Sequence, residues 1–361
     1  MKTLEQLAEM TTGDLTAILP QIIIAEVETA ARARRFGRAL VKINTDLVGK
    51  QGRSINVPVR GTTSAARVAE GAELDATNNG SSPAYSTIPI TPFKIVAYAA
   101  MTQESLDATE FDLIKDHIME AGEALADLED QEIIWEFLAK TAFSEVVVGF
   151  SGTAHNYALT HGKIFHIVSA QNDAGDDLTV NYVDYWTTAM IQIQETLVGD
   201  NLHITYWYVG SGRTQVYDAT TVGVLAYEDI VKMGTAIRSA KFSPNFMVLN
   251  PEQMADLIKD NRFIDASRYG STEALLTGEV GKIGAMKLLA TTNIDAGTAF
   301  CVDSTRAAYL VIKRNVDLKR WDNPRSDAVE LYFYFEFAPK VVNEKALAIC
   351  LDMASNAKAL S

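Results

Sequence analysis

Apolar residues recur every three or four positions between Glu110 and Lys140. They are Phe111, Ile114, Ile118, Ala121, Leu125 and Leu128, then, after a slip near Gln131, Ile134, Trp135 and Leu138. That period marks one face of an α-helix. A continuous helix over this span would be ~45 Å long at 1.5 Å per residue, far beyond the globular average. A rod of that length constrains everything else, because other elements must lie along it or gather at its ends. Ser105 is placed in its cap region. The carboxylates Glu123, Asp127, Glu129, Asp130 and Glu132 read as its solvated or interfacial face rather than as paired catalytic acids.

Residues 46–92 have the opposite character. In Ser54–Arg60, Ile55, Val57 and Val59 alternate with polar residues, which predicts a half-buried strand that Pro58 confines to an edge. A second extended piece covers Thr87–Ile90. Between them runs a polar tract from Glu70-Gly71-Ala72-Glu73 to Ser81-Ser82-Pro83. The segment has too few large apolar residues for a core of its own, and a two-stranded arm is marginal alone. It is expected to lie along a neighbouring subunit, with Ile55, Val57, Val59 and Glu70 in contact. Ahead of it, two helices are predicted, one through Leu4, Leu7, Ala8 and Leu15, and one from Gln21 to Ala33 after Pro20. The second runs into a basic patch, Arg32, Arg34, Arg35, Arg38 and Lys42. Alanine and valine rather than aromatics interleave these charges, so acids of a neighbouring subunit are preferred over nucleic acid as their partner. Arg35 is taken as a contact residue on this basis.

Beyond the long helix, 143–226 is mixed. Strands are predicted at Val146–Phe150, Lys163–Ser169 and Leu202–Val209, a helix at Tyr182–Leu197, and a turn at Asp173–Asp177. From Tyr227 the pattern becomes α/β: a helix over 227–239, a strand Phe246–Leu249, and a helix Pro251–Lys259 with proline at the favoured first position. Further strands are read at Lys287–Ala290, Ala299–Val302, Ala308–Ile312, Val329–Phe337 and within Val341–Met353. In Val329–Phe337 the alternation of Leu331, Phe333, Phe335 and Phe337 predicts one buried and one interfacial face. Trp186, Trp207 and Trp321 read as core or interface anchors, and Trp321 is counted as a subunit contact.

Catalytic chemistry is not evident in the residues. Gly278-Glu279-Val280-Gly281-Lys282-Ile283-Gly284 imitates a phosphate loop, but Ile283 stands where magnesium needs Ser or Thr, and the glycine spacing is wrong. His155, His161 and His166 lie near Asp173, Asp176 and Asp177 without a helical ligand pair, and are read as polar loop residues. Two cysteines, Cys301 and Cys350, suggest neither a disulfide framework nor zinc. The formal charge of -14 disfavours sequence-specific nucleic-acid binding. The first ten residues do not read as a signal peptide, and no apolar run approaches the ~18–20 residues of a membrane span. No catalytic residue, cofactor or metal is expected.

Several short stretches resemble a known family in order and spacing. They are Ile55-Asn56-Val57-Pro58-Val59, Ala69-Glu70-Gly71-Ala72-Glu73 and Ile88-Pro89-Ile90-Thr91-Pro92-Phe93-Lys94. Next come Met101-Thr102-Gln103-Glu104 and the acid-rich helix end Leu125–Asp130. Later stretches are Val248-Leu249-Asn250-Pro251-Glu252, Thr277–Ile283 with Asn293-Ile294, and Gly297–Asp303. Together they resemble the Hong Kong 97-type major capsid proteins of tailed viruses and prophages. The resemblance implies an α+β fold with an N-terminal arm (1–45), an extended β-hairpin loop (46–92) and a peripheral subdomain with a spine helix (93–142). An inserted or elaborated subdomain (143–226), an axial-type α/β subdomain (227–310) and C-terminal strands returning to the peripheral subdomain (311–361) would follow. It implies a structural subunit that assembles with itself into hexamers and pentamers around double-stranded DNA. Scaffold and portal proteins would be partners, assembly would take place in the host cytoplasm, and the subunit would reside in the virion without a membrane. Lys50 would be a candidate donor for the lysine–asparagine cross-link that some members form, with no acceptor identified. A nanocompartment shell of the encapsulin type and a stand-alone α/β enzyme or binding domain are the alternative readings.

Overall fold

The computed structural model describes residues 35–61, 65, 67, 85–102, 113–147, 156–184, 190–193, 201–220, 224–259, 282–283, 286–323 and 328–351. The two expected N-terminal helices, Glu70, His155, Trp186 and most of the 278–284 glycine loop lie outside these residues. In chain order the first elements are β1 (Lys42–Asn44), β2 (Ile55–Arg60), β3 (Tyr85–Ile90), β4 (Phe93–Thr102) and α1 (Leu113–Leu138). A β-rich stretch follows: β5 (Lys140–Val147), β6 (Asn156–Ala158), β7 (Ile164–Gln171), β8 (Val180–Asp184), β9 (Met190–Ile193), β10 (Leu202–Val209) and β11 (Val216–Asp218). Then come α2 (Tyr227–Ser239), β12 (Phe246–Leu249), α3 (Pro251–Lys259), β13 (Lys282–Ile283), β14 (Met286–Ala290) and β15 (Ala299–Val302). The chain closes with β16 (Ala308–Asn323), β17 (Ala328–Val341) and β18 (Leu347–Leu351).

These elements form two compact units. The first takes in Ile43–Leu125 and Tyr309–Val342; the second takes in Arg32–Lys42, Ala126–Ala308 and Asn343–Ser361. The first unit holds a four-stranded sheet in the order β1-β16-β17-β4. Strands β17 and β4 run antiparallel from Ala328↔Thr102 to Phe337↔Phe93. Leu331, Phe333, Phe335 and Phe337 alternate into the core, as the sequence predicts. Strands β2 and β3 form a separate antiparallel ribbon, with Ile55 opposite Ile90 and Arg60 opposite Tyr85. Pro58 and Pro89 are tolerated because each strand of a two-stranded ribbon keeps one unpaired edge. Among the described residues the ribbon is anchored at one end: Val57 and Ile90 are buried with Leu47, Val311 and Ala338. At the other end Tyr85 is 68% exposed.

In the second unit a six-stranded sheet runs β11-β18-β15-β12-β14-β13. It is mixed, with β11 parallel to β18, β12 parallel to β14, and the remaining pairs antiparallel. Ile230, Met233 and Ile237 of α2 pack on Met247, Leu249, Cys301 and Cys350 of this sheet. Helix α3 starts as its sequence dictates. Asn250 Oδ1 accepts the Glu252 N–H at 3.0 Å, and Pro251 fills the first turn where no donor is needed.

The expected helix over Tyr182–Leu197 is not formed; the described residues there are strands β8 and β9. The local pattern explains the correction. Ile191 and Ile193 are buried while Gln192 between them is not, which is a period of two, and β-branched side chains favour the pleated form. The sheet β6-β9-β8 and the sheet β5-β10-β7 share one core containing Val180, Ile191, Ile193, Leu202, Ile204 and Tyr206. The described residues between 140 and 209 therefore make a small body of two β-sheets.

The long helix is real but ends earlier than predicted, at Leu138. Ala139 turns with φ 51°, and β5 begins at Lys140 instead of Val146. The buried stripe also shifts. Ile118, Ala121 and Leu125 face inward in the first half, and Ala126, Ile133, Ile134 and Phe137 in the second. The slip read near Gln131 is the trace of this change.

Candidate functional site

Two acids in the second half of α1 are, with Asp229, the most deeply buried acidic residues among the described residues. Glu129 is 0% and Asp130 1% exposed. This corrects the reading of the acid run as a solvated or interfacial face, which suits Glu123, Asp127 and Glu132 better. Burial is tolerable because each acid is paired. Glu129 meets Arg35 Nε at 2.8 Å and accepts from Arg38 through Nε at 2.6 Å and Nη2 at 3.2 Å. Asp130 accepts the backbone N–H groups of Phe36 at 3.0 Å and Gly37 at 2.9 Å. Gly37 is required here, since a Cβ would lie 2.5 Å from Asp130 Oδ1. Burial pushes the Asp130 carboxyl up to about 6, against the lowering effect of the two N–H groups; Glu129 raises it further and Arg35 lowers it. Arg35 and Arg38 thus find their acids within their own chain. Arg35, expected to touch a neighbouring subunit, is 6% exposed and occupied at this clasp.

A second cluster sits where α1 meets β5. Lys140 Nζ lies 3.2 Å from the ring centroid of Trp135 and 3.4 Å from that of Trp207, so its charge is held between two indoles. Burial lowers the Lys140 ammonium below its ordinary value, opposed by Glu132 and Asp295; burial likewise raises the Glu132 carboxyl. Arg213 donates to the carbonyls of Phe137, at 2.8 Å, and of Glu136, closing the C-terminal end of α1. Gly210 donates to the Ala139 carbonyl at 3.1 Å, and a Cβ at Gly210 would come 2.8 Å from Thr141 Oγ1. Sequence spacing gave no sign of this cage, because its two tryptophans come from elements far apart in the chain.

The histidines and acids weighed as metal ligands disperse. His166 Nδ1 pairs with Asp295 Oδ1 at 2.9 Å, and His161 stacks on Tyr208 with ring centroids 4.3 Å apart. Asp173 bonds His203 at 2.8 Å, while Asp176 and Asp177 bond Asn172 and Gln171. Tyr206 is buried and donates to Glu145 at 3.0 Å, and burial pushes its phenol above the ordinary range. Among the described residues no three of these groups converge on a metal position. No helix of the described residues is long and apolar enough to cross a membrane. Of the predicted contact residues, Ile55 and Val57 sit at the anchored end of the ribbon, Val59 is half-buried further along it, and Trp321 is 64% exposed on β16.

The profile of one protein family, described as phage capsid protein, matches residues 85–350. The chain belongs to the phage capsid protein family. It is therefore a major capsid protein, a structural component of a virion shell and not an enzyme. Solved structures share its Hong Kong 97-type α+β fold at low identity. A Mycobacterium phage Che8 structure is 14% identical over 89% of this chain and 93% of its own, with a TM-score of 0.53. The mature capsid of bacteriophage PhiM1 is 9% identical over 88% and 87%, with a TM-score of 0.53. A Microbacterium phage Oxtober96 structure is 10% identical over 88% and 90%, again at 0.53. No curated protein sequence matches the chain.

Proposed function

We propose that this capsid protein assembles with itself into hexamers and pentamers that tile an icosahedral shell around double-stranded DNA. The observation that carries the reading is the β2–β3 ribbon, anchored by Val57 and Ile90 and exposed at Tyr85. A ribbon tied down at one end is stabilised by lying on another subunit. Such contacts are heterologous, and heterologous contacts close into rings when the rotation allows. In this reading 46–92 is the extended loop, 93–142 the peripheral subdomain with its spine, 143–226 an elaborated subdomain, 227–310 the axial-type subdomain and 311–361 the return. Ile55, Val57, Val59, Glu70 and Trp321 contribute to subunit contacts, and Arg35 contributes by holding the arm to α1. Scaffold and portal proteins assist in the host cytoplasm, and DNA is enclosed without sequence preference. An encapsulin-type compartment is not favoured, because the matching family is one of phage capsids.

Negative-stain microscopy with light scattering on the purified chain tests this. Closed shells, or rings of five and six subunits, are the expected result. A monomer or dimer that persists across salt and protein concentration would remove the claim of unaided assembly.

A further inference from the structure

Glu129 and Asp130 are neighbours on α1 and both are buried, yet their partners differ. Both guanidinium groups of the segment that crosses them go to Glu129, with Arg35 Nε at 2.8 Å and Arg38 Nε at 2.6 Å from its oxygens. Asp130 receives neither. Its two oxygens accept one backbone N–H each, from Phe36 at 3.0 Å and from Gly37 at 2.9 Å. Among the described residues no Lys, Arg or His forms an ion pair with it. The segment itself covers the carboxyl, since a Cβ on Gly37 would lie 2.5 Å from Asp130 Oδ1. It is a short piece of chain that runs into a single 3-10 turn, Gly37–Leu40, in which the Ala39 N–H meets the Phe36 carbonyl at 3.0 Å.

A carboxylate removed from water is costly to keep ionised unless a cation faces it. Docking of the segment strips water from Asp130 and supplies two neutral amides, which offset only part of that cost. The charged groups facing it are Glu129 on α1, which opposes ionisation, and Arg35 on the segment, which favours it; Arg38 is engaged by Glu129. Burial is the largest influence and pushes the carboxyl from its ordinary 3.8 up to about 6. With the segment lifted away, the carboxyl meets water and returns to its ordinary value. Docking therefore takes up a proton. It is favoured most below about pH 4, and that advantage is lost as pH rises through 6.

We propose that Asp130 operates a proton-driven clasp: the segment from Arg35 to Leu40 is fastened to α1 in mild acid and loosens from it near neutral pH while the rest of its unit stays folded. Every group involved belongs to one chain, so the clasp stands or falls independently of the shell reading. The chain ahead of Arg35 enters the second unit through this segment, and acidity thereby sets how firmly that entry is held.

Hydrogen exchange at single-residue resolution on the full, unassembled chain tests it. The reporters are the Phe36 and Gly37 amides, which donate to Asp130. After correction for the intrinsic pH dependence of exchange, their opening constant is expected to rise about tenfold between pH 5 and pH 7. That is the change for a carboxyl that titrates at about 6 when covered and at 3.8 when free. At each pH it should exceed the opening constant of Met247 and Val248 in the buried strand β12, because the segment opens without its unit. In Asp130→Asn the rise should disappear. A wild-type opening constant that is flat over this range overturns the proposal. So does exchange of Phe36 and Gly37 only in step with β12, or a rise that survives in Asp130→Asn. If that variant does not fold, the wild-type series decides by itself, since the first two of these results need no substitution.

Discussion

The two large sheets of this chain treat their faces differently. In the six-stranded sheet β15 and β18 are buried at every position, Ala299–Val302 and Leu347–Leu351, with apolar side chains on both sides. In the four-stranded sheet β17 alternates between buried and half-exposed, and the outer row is tyrosine and glutamate. A sheet covered on both sides needs continuous apolar runs, and a sheet covered on one side needs alternation. The first is buried on both of its faces. The second buries one face and leaves the other partly exposed. What distinguishes interior from exposed surface is therefore the face, more than the element.

Substitution can break that comparison. Phe300→Ala, at a fully buried position of β15, should destabilise the chain by about 3–5 kcal/mol in denaturant melts, through lost burial plus a cavity. Phe333→Ala, on the inner face of β17, should cost about the same 3–5 kcal/mol. A much smaller loss there would mean that the sheets differ as wholes and not by face. The second unit buries charge as well, and pH reads it. The Asp130 carboxyl is held above its ordinary 3.8, at about 6, so folding favours its neutral form. Its stabilising contribution is complete below about pH 4 and lost as pH rises through 6. Asp130→Asn has no such titration. The stability of the variant relative to wild type should rise by about 2 kcal/mol between pH 4 and 7, and a flat difference would refute the assignment. Least affected should be Tyr98→Ser on the outer face, within about 0.5 kcal/mol in the unassembled chain. A larger drop would show the tyrosine row supporting its own unit.

Much of this was legible in sequence where local signals are strong. The spans of α2, β12, α3 and β15 match expectation to the residue, because Pro251, Asn250 and the periods of 3.6 and 2 act within a few positions. The long helix was equally plain. The 182–197 region failed because short apolar runs fit either period until their burial is known. The clasp was hidden for another reason: Arg35 and Glu129 are separated by more than ninety positions, and a charge run on a helix looks the same whether solvated or paired. The burial of Glu129 and Asp130 depends on what packs over them, which spacing along one element does not encode. Family membership was carried by short motifs whose order, rather than any single one, is distinctive.

Between Leu138, where the helix stops, and Lys140, where the strand starts, there is one residue, Ala139, and both sides are locked by Arg213, Gly210 and the indole cage. Such a joint has no slack and its length is quantised. One extra residue on the helical side would rotate everything beyond it by about 100°. One extra residue on the strand side would turn the half-buried row of β5 outward. Variation at this joint is thus confined to exchange of side chains at constant length, and insertions and deletions belong elsewhere in the chain.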